Sequence, residues 1–396
     1  MKKRLAIVTT HPIQYQAPIW RRLAQYPDLE VHVYFGSDFS IRGYKDSGFG
    51  VEVKWDVPLT EGYAHTFLST DPQIQGTDGF FTLRASHLTA KLKEFQPHCA
   101  LVCGYLPFFY LEAIGILRAR KIPVLLRMEA TDENKLRSIG KDFLRSQALR
   151  FIYSQCAHFL AIGKNAEAHY LLKGVPPNKI TKSLYCINSD SLADQVLLYR
   201  QHREKLRMQM GFGDAHTVFV ISGKLLVTKG LLEVIGALQT ISETARRRIG
   251  LIVLGDGDLR PEFQAQCESL LGSRAVFTGF QNQSQIGKYY AAADCLLFPS
   301  WSETWGLVVN EALQFGLPAI VSDKVGSHRD LIVEGQTGFA FPSGDTQQLK
   351  EAMIKMMDLL HQQRSIIAKA CQQRVSHYTV EAASQGIHEA VLQTTI

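Results

Sequence analysis

Short apolar runs alternate with segments of helical periodicity along most of the chain. Apolar runs such as Leu5–Val8 and Ile249–Leu254 are typical of strands in a parallel sheet that is covered on both faces. The segments between such runs, for example Phe108–Arg120, have the spacing of helices that bury one side. Because strands and helices alternate in both halves, the sequence predicts two Rossmann-like α/β domains, each built on a doubly wound parallel sheet.

The boundary between the two predicted domains lies near residue 190. Residues 1–190 would form the first domain, and residues 191–377 would form a linker and the second domain. The linker is the polar, helical segment 191–213. A last helical segment, 378–396, is expected to pack back on the first domain.

One stretch, residues 36–82, breaks the regular pattern. It is rich in glycine and interleaved with aromatic residues such as Tyr44, Trp55 and Phe80. Long loops in compact domains commonly serve binding, and aromatic side chains suit the apolar faces of sugars and lipids. The segment is therefore predicted to form part of an acceptor pocket, with a surface meander that covers the sheet as the alternative.

Composition and net charge limit the classes of partner that the protein is expected to bind. The chain has 396 residues, 46% of them hydrophobic, which is enough for more than one core. A net charge of +6, from 43 basic and 37 acidic residues, is mild, so no nucleic acid partner is implied. The basic start Lys2-Lys3-Arg4 could favour an anionic membrane surface or could be a solvated terminus.

The distribution of the cysteines and the lack of long apolar segments bear on the cellular compartment in which the protein is expected. The seven cysteines are scattered and mostly lie in apolar runs, which suggests reduced, packed thiols. No segment resembles a signal peptide or reaches the length of a membrane span. A cytoplasmic location is expected, with peripheral contact at the inner face of the membrane left open, and no oligomeric state is predicted.

The most informative stretch is residues 294–323. The apolar run Cys295–Phe298 stops at Pro299, a polar loop follows, and a helical segment starts near Gly306 before a second apolar strand. The free N–H groups at the start of such a helix favour a phosphate. Glu303 and Glu311 flank this start, and carboxylates accept hydrogen bonds from vicinal hydroxyls such as those of a ribose and a hexose.

The same stretch resembles a known signature. Pro-Ser-x-x-Glu-x-Trp-Gly before the helix, with Gly-x-Pro-Ala-Ile-Val-Ser after it, resembles the donor site of retaining glycosyltransferases of family 4, the group 1 enzymes similar to glycogen and sucrose synthases. The resemblance is specific over residues 215–345 and only architectural before them. It implies the GT-B fold, in which two Rossmann-like domains face a cleft.

The resemblance also implies a donor site. Lys224 and Lys229, five residues apart around a glycine turn, would bind the leaving diphosphate as point charges, with Lys224 in place of the more usual arginine. Main-chain groups near Phe280 would receive the nucleobase. The full predicted donor set is Gly223, Lys224, Lys229, Gly255, Phe280, Glu303, Thr304, Trp305, Gly306, Leu307 and Glu311.

The predicted acceptor residues lie in the first domain, at strand ends and in the insertion. In the resembling family a histidine usually follows the strand that ends at Arg127, whereas this chain has Glu129 at that position, at the start of the exit loop 128–135. Arg127 would pair with Glu129 or with an anionic acceptor, and a purely structural ion pair is the alternative. The predicted acceptor set is His11, Gln14, Tyr15, Asp46, Arg127 and Glu129.

The function that the resemblance implies is transfer, with retention, of a sugar from a nucleoside diphosphate sugar to a hydroxyl acceptor. UDP-sugar is favoured over GDP-sugar, and the acceptor would be a glycan, a lipid-linked sugar or a small molecule. Without an Asp-x-Asp element at a strand end, neither a metal ion nor another cofactor is expected. The predicted catalytic set is Glu303, Lys229, Lys224, Glu129 and His11. A sugar-nucleotide epimerase and a non-catalytic nucleotide-sugar sensor are the alternatives.

Overall fold

The structure is a computed structural model, and it describes residues 2–46, 48–129 and 139–395. By the contacts among these residues, the chain divides into two compact units. The first comprises Met1–Lys45, Glu52–Cys186 and Thr379–Ile396, and the second comprises Asp46–Val51 and Ile187–Tyr378. Most of the predicted exit loop 128–135 lies outside the described residues.

The first unit alternates strands and helices along the chain. Its elements up to the last strand are β1 (Lys3–Thr9), α1 (Ala17–Leu23), β2 (Leu29–Phe35), α2 (Phe39–Arg42), β3 (Tyr44–Lys45), β4 (Glu52–Val53), β5 (Ala64–Phe67), α3 (Leu88–Phe95), β6 (Cys99–Val102), α4 (Phe108–Ala119), β7 (Val124–Arg127), α5 (Ile139–Ser154), β8 (His158–Ala161), α6 (Lys164–Leu172) and β9 (Ile180–Lys182).

In the described part of this unit, seven strands form one parallel sheet in the order β5-β2-β1-β6-β7-β8-β9. Strands β3 and β4 pair separately as an antiparallel hairpin. Every residue from Leu5 to Val8 is fully buried, because the central strands have both faces covered. The strand order reverses between β1 and β6, and ligands of doubly wound sheets bind beyond the carboxyl ends of strands at such a reversal.

One strand of the main sheet, β5, lies inside the segment 36–82 that was expected to be a loop-rich insertion, which also contains α2 and the hairpin of β3 and β4. Strand β5 pairs in parallel with β2 at the edge of the sheet. Its side chains, which include His65 and Thr66, are only partly buried, so its sequence lacks the apolar run that marks the central strands. The expectation of irregular structure is therefore wrong for these residues.

The second unit repeats the alternation. Its elements are α7 (Ser189–Arg200), α8 (Arg203–Gln209), β10 (Thr217–Ser222), α9 (Leu231–Thr240), α10 (Glu243–Arg246), β11 (Ile249–Leu254), α11 (Arg260–Leu271), β12 (Ala275–Gly279), α12 (Ile286–Ala292), β13 (Cys295–Phe298), α13 (Leu307–Gln314), β14 (Ala319–Ser322), α14 (His328–Leu331), β15 (Gly338–Phe341) and α15 (Thr346–Val375).

Six strands in the described part of the second unit form a parallel sheet in the order β12-β11-β10-β13-β14-β15. The order reverses between β10 and β13, so the loops after these two strands occupy the favoured ligand position. Helices α7 and α8, which cover most of the predicted linker 191–213, pack against α12 and are part of the unit.

Asp294, the residue before β13, holds three arginines at the amino end of that strand. Its fully buried carboxylate forms ion pairs with Arg203 at 2.5 Å, with Arg207 at 2.9 Å and with Arg364. Burial alone would raise the pKa of Asp294, but the three guanidinium groups outweigh it and hold the pKa below its ordinary value. The carboxylate is therefore charged at neutral pH.

The chain ends in α16 (Val380–Thr394), which belongs to the first unit and packs on α1, β8 and β9. The Ser183 hydroxyl group donates a hydrogen bond of 2.9 Å to the carbonyl oxygen of Ala383 in this helix. Among the described helices, none combines the length and the apolar character needed to cross a bilayer. Over the described residues the seven cysteines are free thiols, and all but Cys103 are buried, in agreement with the packed thiols predicted.

Candidate functional site

The loop between β13 and α13 forms the centre of the candidate site in the second unit. Helix α13 starts after Gly306, which has a φ of +89° and provides no side-chain cap for the first N–H groups. A Cβ atom at Gly306 would lie 2.7 Å from Cε1 of Phe298, so both the backbone angle and the space require glycine. The uncapped start of the helix, at the carboxyl end of β13, can receive an anion.

Neighbouring backbone fixes this loop in place. The N–H group of Trp301 donates to the carbonyl oxygen of Thr228 at 2.9 Å, and the N–H group of Gly326 donates to that of Glu303 at 3.0 Å. The indole of Trp305 is buried and donates to Oδ1 of Asn310 at 2.9 Å. Hydrogen bonds to neighbouring backbone and side chains therefore hold the segment of the predicted donor residues 303–307.

Glu303 of this segment forms an ion pair with Lys229. The Nζ atom of Lys229 lies 2.5 Å from Oε2 of Glu303, and the two side chains are 21% and 20% exposed. Lys229 ends a short 3₁₀ turn, Val227–Lys229, and its ammonium group also lies 5.6 Å from the centre of the Phe298 ring. The structure thus brings together two residues that are 74 positions apart in the chain.

Lys224 has a different carboxylate partner, Asp46. Its Nζ atom lies 2.7 Å from Oδ1 of Asp46, whose carboxylate also accepts hydrogen bonds from the N–H groups of Gly48 and Phe49. Burial by itself raises the pKa of Asp46, but these donors hold it below its ordinary value. Asp46 belongs to the second unit, so the structure places it beside a predicted donor lysine and not among the predicted acceptor residues.

Glycine turns after β10 and β11 approach each other closely. A Cβ atom at Gly255 would lie 1.8 Å from the carbonyl oxygen of Gly223, so only glycine fits there. The N–H group of Gly255 donates to the carbonyl oxygen of Gly279 at 2.9 Å. Phe280, the next residue, packs edge-on against Phe49 with ring centres 5.0 Å apart. The predicted donor residues Gly223, Gly255 and Phe280 therefore follow the carboxyl ends of three neighbouring strands, β10, β11 and β12.

Glu311 is more buried than its predicted role suggests. The residue is 2% exposed, and its carboxylate accepts hydrogen bonds from Nε2 of Gln283 at 3.1 Å and from the hydroxyl group of Tyr290 at 2.9 Å. Both partners were missed in the sequence, where Gln283 lies in an unremarkable polar run. A ribose that binds Glu311 would have to share its carboxylate with these two donors.

The first unit contains a pocket of about 340 Å³ beyond the carboxyl ends of β1, β6 and β7. Arg127 and Glu129, both predicted, line it together with Tyr185. The hydroxyl group of Tyr185 donates to Oε1 of Glu129 at 2.6 Å. The guanidinium group of Arg127 donates to the side chain and the carbonyl oxygen of Ser183 and lies over the Tyr185 ring, so the predicted pair between Arg127 and Glu129 is wrong.

The other predicted acceptor residues follow β1. His11 is partly buried, its Nδ1 lies 3.0 Å from Oγ1 of Thr10, and burial lowers its pKa to about 4, so the ring is neutral at physiological pH. Gln14 is buried, and its Oε1 has no hydrogen-bond partner within the described ranges. Tyr15 lies close enough to Tyr185 to influence the pKa of that residue. None of the three lines the pocket, whereas Gln16, which was not predicted, does.

No group of three or more histidine, cysteine, aspartate or glutamate residues that could hold a metal ion is found in the part of the chain that the structure describes. The side chains that the second unit offers to a ligand are instead the two lysines with their carboxylate partners. The chemistry that this arrangement can perform is the binding of an anion at the start of α13, with Glu303 as an acceptor for hydroxyl groups.

The sequence of the second unit is similar to that of a known protein family. Residues 202–373 match the family described as "Glycosyl transferases group 1". The matched segment covers most of the second unit, which is thus similar in sequence to group 1 glycosyl transferases. Lys224, Lys229, Glu303 and Glu311 all lie inside the matched segment, whereas the pocket residues of the first unit lie outside it.

Curated relatives with named activities resemble parts of the chain. A sulfoquinovosyl transferase of Arabidopsis thaliana is 33% identical over 194 residues, which cover 48% of this chain and 36% of that protein. The N-acetyl-α-D-glucosaminyl L-malate synthase of Bacillus anthracis is 24% identical over 267 residues, which cover 66% of this chain and 63% of that protein. The chain thus spans about a third to two thirds of the length of these relatives.

Solved structures match the whole chain. Anabaena HepE, solved in complex with UDP, superposes with a TM-score of 0.70 at 16% identity and covers 99% of this chain and 100% of that one. At this identity the likeness concerns the fold. With its two Rossmann-like units, the chain has the GT-B fold that the sequence resemblance implied.

Proposed function

We propose that the chain is an enzyme that transfers a sugar from a nucleoside diphosphate sugar to a hydroxyl acceptor. The observation that carries the proposal is the ion pair of Lys229 and Glu303 beside the uncapped start of α13, at the strand reversal of a group 1 glycosyl transferase unit. A diphosphate needs positive charge and N–H groups, and a sugar needs carboxylate acceptors. This small region offers both.

In the proposed reaction the bond between the anomeric carbon and the diphosphate breaks, and its electron pair leaves with the diphosphate. Lys224, Lys229 and the start of α13 would stabilise that charge as a preorganised positive field. Glu303 would position the donor hydroxyl groups and favour positive charge at the anomeric carbon. We propose that no metal ion is required, because these groups already supply the positive charge.

The acceptor hydroxyl would form the new bond to the anomeric carbon from the face that the diphosphate leaves, and its proton would pass to an oxygen of the diphosphate. The configuration at the anomeric carbon is then retained, as in the family that the sequence resembles. We assign the ribose to Glu311 and its neighbours Gln283 and Tyr290. UDP-sugar is the proposed donor, which the UDP complex of the HepE structure supports by analogy of fold.

We assign the acceptor to the first unit. The pocket of about 340 Å³ is large enough for a small hydroxylated molecule or the head of a larger one. Glu129 and Tyr185, joined by a hydrogen bond of 2.6 Å, offer acceptors for hydroxyl groups at its wall. Its position at the strand reversal of the first sheet is the favoured ligand position of such folds.

The experiment is a thermal-shift screen with UDP, GDP, ADP and TDP, followed by product analysis of UDP-sugars with and without candidate acceptors. A ligand at 100 times its Kd stabilises a protein by about 2.7 kcal/mol, so a cognate nucleotide should stand out. We expect a selective shift with UDP and a new glycoside only when an acceptor is present. Stabilisation by none of the nucleotides, or conversion of the donor without an acceptor, would contradict the proposal.

A further inference from the structure

The pocket of the first unit contains a buried arginine, Arg127, which has no carboxylate partner among the residues that the structure describes. Arg127 is the last residue of β7 and is 3% exposed. Among the described residues, no carboxylate forms an ion pair with its guanidinium group. Removing a charge from water costs several kcal/mol unless an opposite charge or a full set of hydrogen bonds compensates for it.

The groups that do contact Arg127 carry no negative charge. Its Nε donates to Oγ of Ser183 at 3.0 Å, its Nη2 donates to the Ser183 carbonyl oxygen at 3.3 Å, and the guanidinium carbon lies 5.4 Å from the centre of the Tyr185 ring. Burial raises the pKa values of Cys103 and Cys186 to about 12, so both nearby thiols stay neutral. Nη1 has no hydrogen-bond partner in the part of the chain that the structure describes.

Another buried arginine of the same chain shows the usual arrangement. Arg207 is 5% exposed, and its Nη1 lies 2.9 Å from Oδ2 of Asp294. Nη1 also donates to the carbonyl oxygen of Ala292, and Nη2 donates to those of Gly213 and His216. This arginine is compensated from within the protein, whereas Arg127 lines a pocket with donor capacity unused.

We propose that Arg127 binds an anionic group of the acceptor, a phosphate or a carboxylate, inside this pocket. The proposal rests on the acceptor role given to the first unit under the proposed function. The planar guanidinium group offers the paired N–H donors that both kinds of anion accept. The anion completes the charge balance that the buried arginine lacks.

The same pocket separates the anion from the reacting end of the acceptor. The Tyr185 ring lies beneath Arg127, while its hydroxyl group donates to Glu129. Glu129 repels an anion but accepts hydrogen bonds from hydroxyl groups. An acceptor with a negative group at one end and hydroxyl groups at the other could contact Arg127 with the first and Glu129 with the second.

The test is calorimetric titration of the full chain saturated with UDP, so that anions do not bind at the two lysines of the second unit. The probes are glycerol, glycerate and glycerol 3-phosphate, which differ only in the neutral, carboxylate or phosphate group. We expect binding of at least one charged probe and none of glycerol. The preferred probe distinguishes a carboxylate from a phosphate.

Arg127→Gln should weaken binding of that probe by about 10- to 150-fold, the range for hydrogen bonds to charged groups, while UDP binding stays as in the wild type. Arg127→Lys keeps the charge without the planar fork and should lose less. Arg247→Gln, which removes an arginine that is 75% exposed and paired with Glu243, is the matched control and should change nothing.

Three results would overturn the proposal: no charged probe binds the wild type, glycerol binds as tightly as the charged probes, or Arg127→Gln keeps full affinity for them. The comparison of neutral and charged probes needs only the wild type, so it stands even if a variant does not fold. Failure of UDP to bind the wild type would instead contradict the proposed function.

Discussion

The pair of Lys229 and Glu303 allows the proposed chemistry to be separated from stability. Removing Lys229 leaves Glu303 about a fifth exposed, so water and ions can compensate for the lost partner. Exposed ion pairs contribute about 0.2–1 kcal/mol, whereas loss of one partner of a buried pair costs about 3–5 kcal/mol. We therefore expect Lys229→Ala to lower the free energy of unfolding by about 1 kcal/mol.

Transfer should respond much more strongly. If Lys229 stabilises the charge that develops on the leaving diphosphate, its removal should lower kcat by about 10²- to 10³-fold, which corresponds to about 2.7–4 kcal/mol. Glu303→Ala should lower kcat by the same order, because in the proposed mechanism Glu303 positions the donor and favours positive charge at the anomeric carbon. Expressed as free energy, the expected loss of transition-state stabilisation is thus about three times the expected loss in the free energy of unfolding.

The assay measures kcat and KM for transfer at saturating acceptor, together with urea unfolding of the same preparations. Arg247→Ala is the control, since it breaks an ion pair with both partners largely exposed, Arg247 with Glu243, in the same unit. It should leave both kcat and stability unchanged. The reasoning is refuted if Lys229→Ala keeps more than a third of wild-type kcat, or if its loss of activity is matched by a loss of several kcal/mol in stability.

Two further predictions concern the framework of the second unit. Asp294→Ala should lower the free energy of unfolding by about 3–5 kcal/mol, because it leaves the buried Arg207, the partly buried Arg203 and the exposed Arg364 without their carboxylate. The pKa of Asp294 is lower in the folded protein than in the unfolded chain, so its ionised carboxylate stabilises the fold above the unfolded pKa of about 4. This stabilisation is lost as the pH falls through the folded pKa. The free energy of unfolding in urea should therefore fall between pH 7 and pH 3 in the wild type, and fall less in Asp294→Ala. Gly306→Ala should cost about 1–2 kcal/mol from its positive φ alone, and it should weaken nucleotide binding because the start of α13 moves; unchanged affinity for UDP would contradict the place given to the diphosphate.

Central strands were predicted accurately because burial on both faces gives them a continuous apolar sequence. Strands β11 and β13 have the predicted limits, Ile249–Leu254 and Cys295–Phe298. Strand β5 was missed because it lies at the sheet edge, where a half-exposed strand with polar residues gives no apolar run. The sequence thus predicts the centre of each sheet better than its edges.

Loops that follow predicted strands could likewise be located, but the partners of their side chains could not. The pairing of Lys224 with Asp46 joins residues 178 positions apart, and that of Arg127 with Ser183 joins residues 56 positions apart. Nothing in the local sequence around either residue identifies its partner, because the contact exists only after the strands are ordered into sheets. The position of Arg127 was therefore predictable, whereas the absence of a carboxylate beside it among the described residues was not.

The cationic side chains of the two candidate sites differ in their partners: the lysines of the second unit are paired with carboxylates, whereas Arg127 of the first unit has no such partner among the described residues. In the second unit, Lys224 and Lys229 each contact a carboxylate, so a small anion that binds there must compete with Asp46 or Glu303. A nucleoside diphosphate can offset this competition, because its base and ribose add contacts that a simple anion lacks. Arg127 has no carboxylate competitor among the described residues, so a single charged group suffices there. Under the proposed assignments, the second unit selects a whole nucleotide and the first unit selects one charged group on a small molecule, and this difference lets the enzyme distinguish its donor from its acceptor.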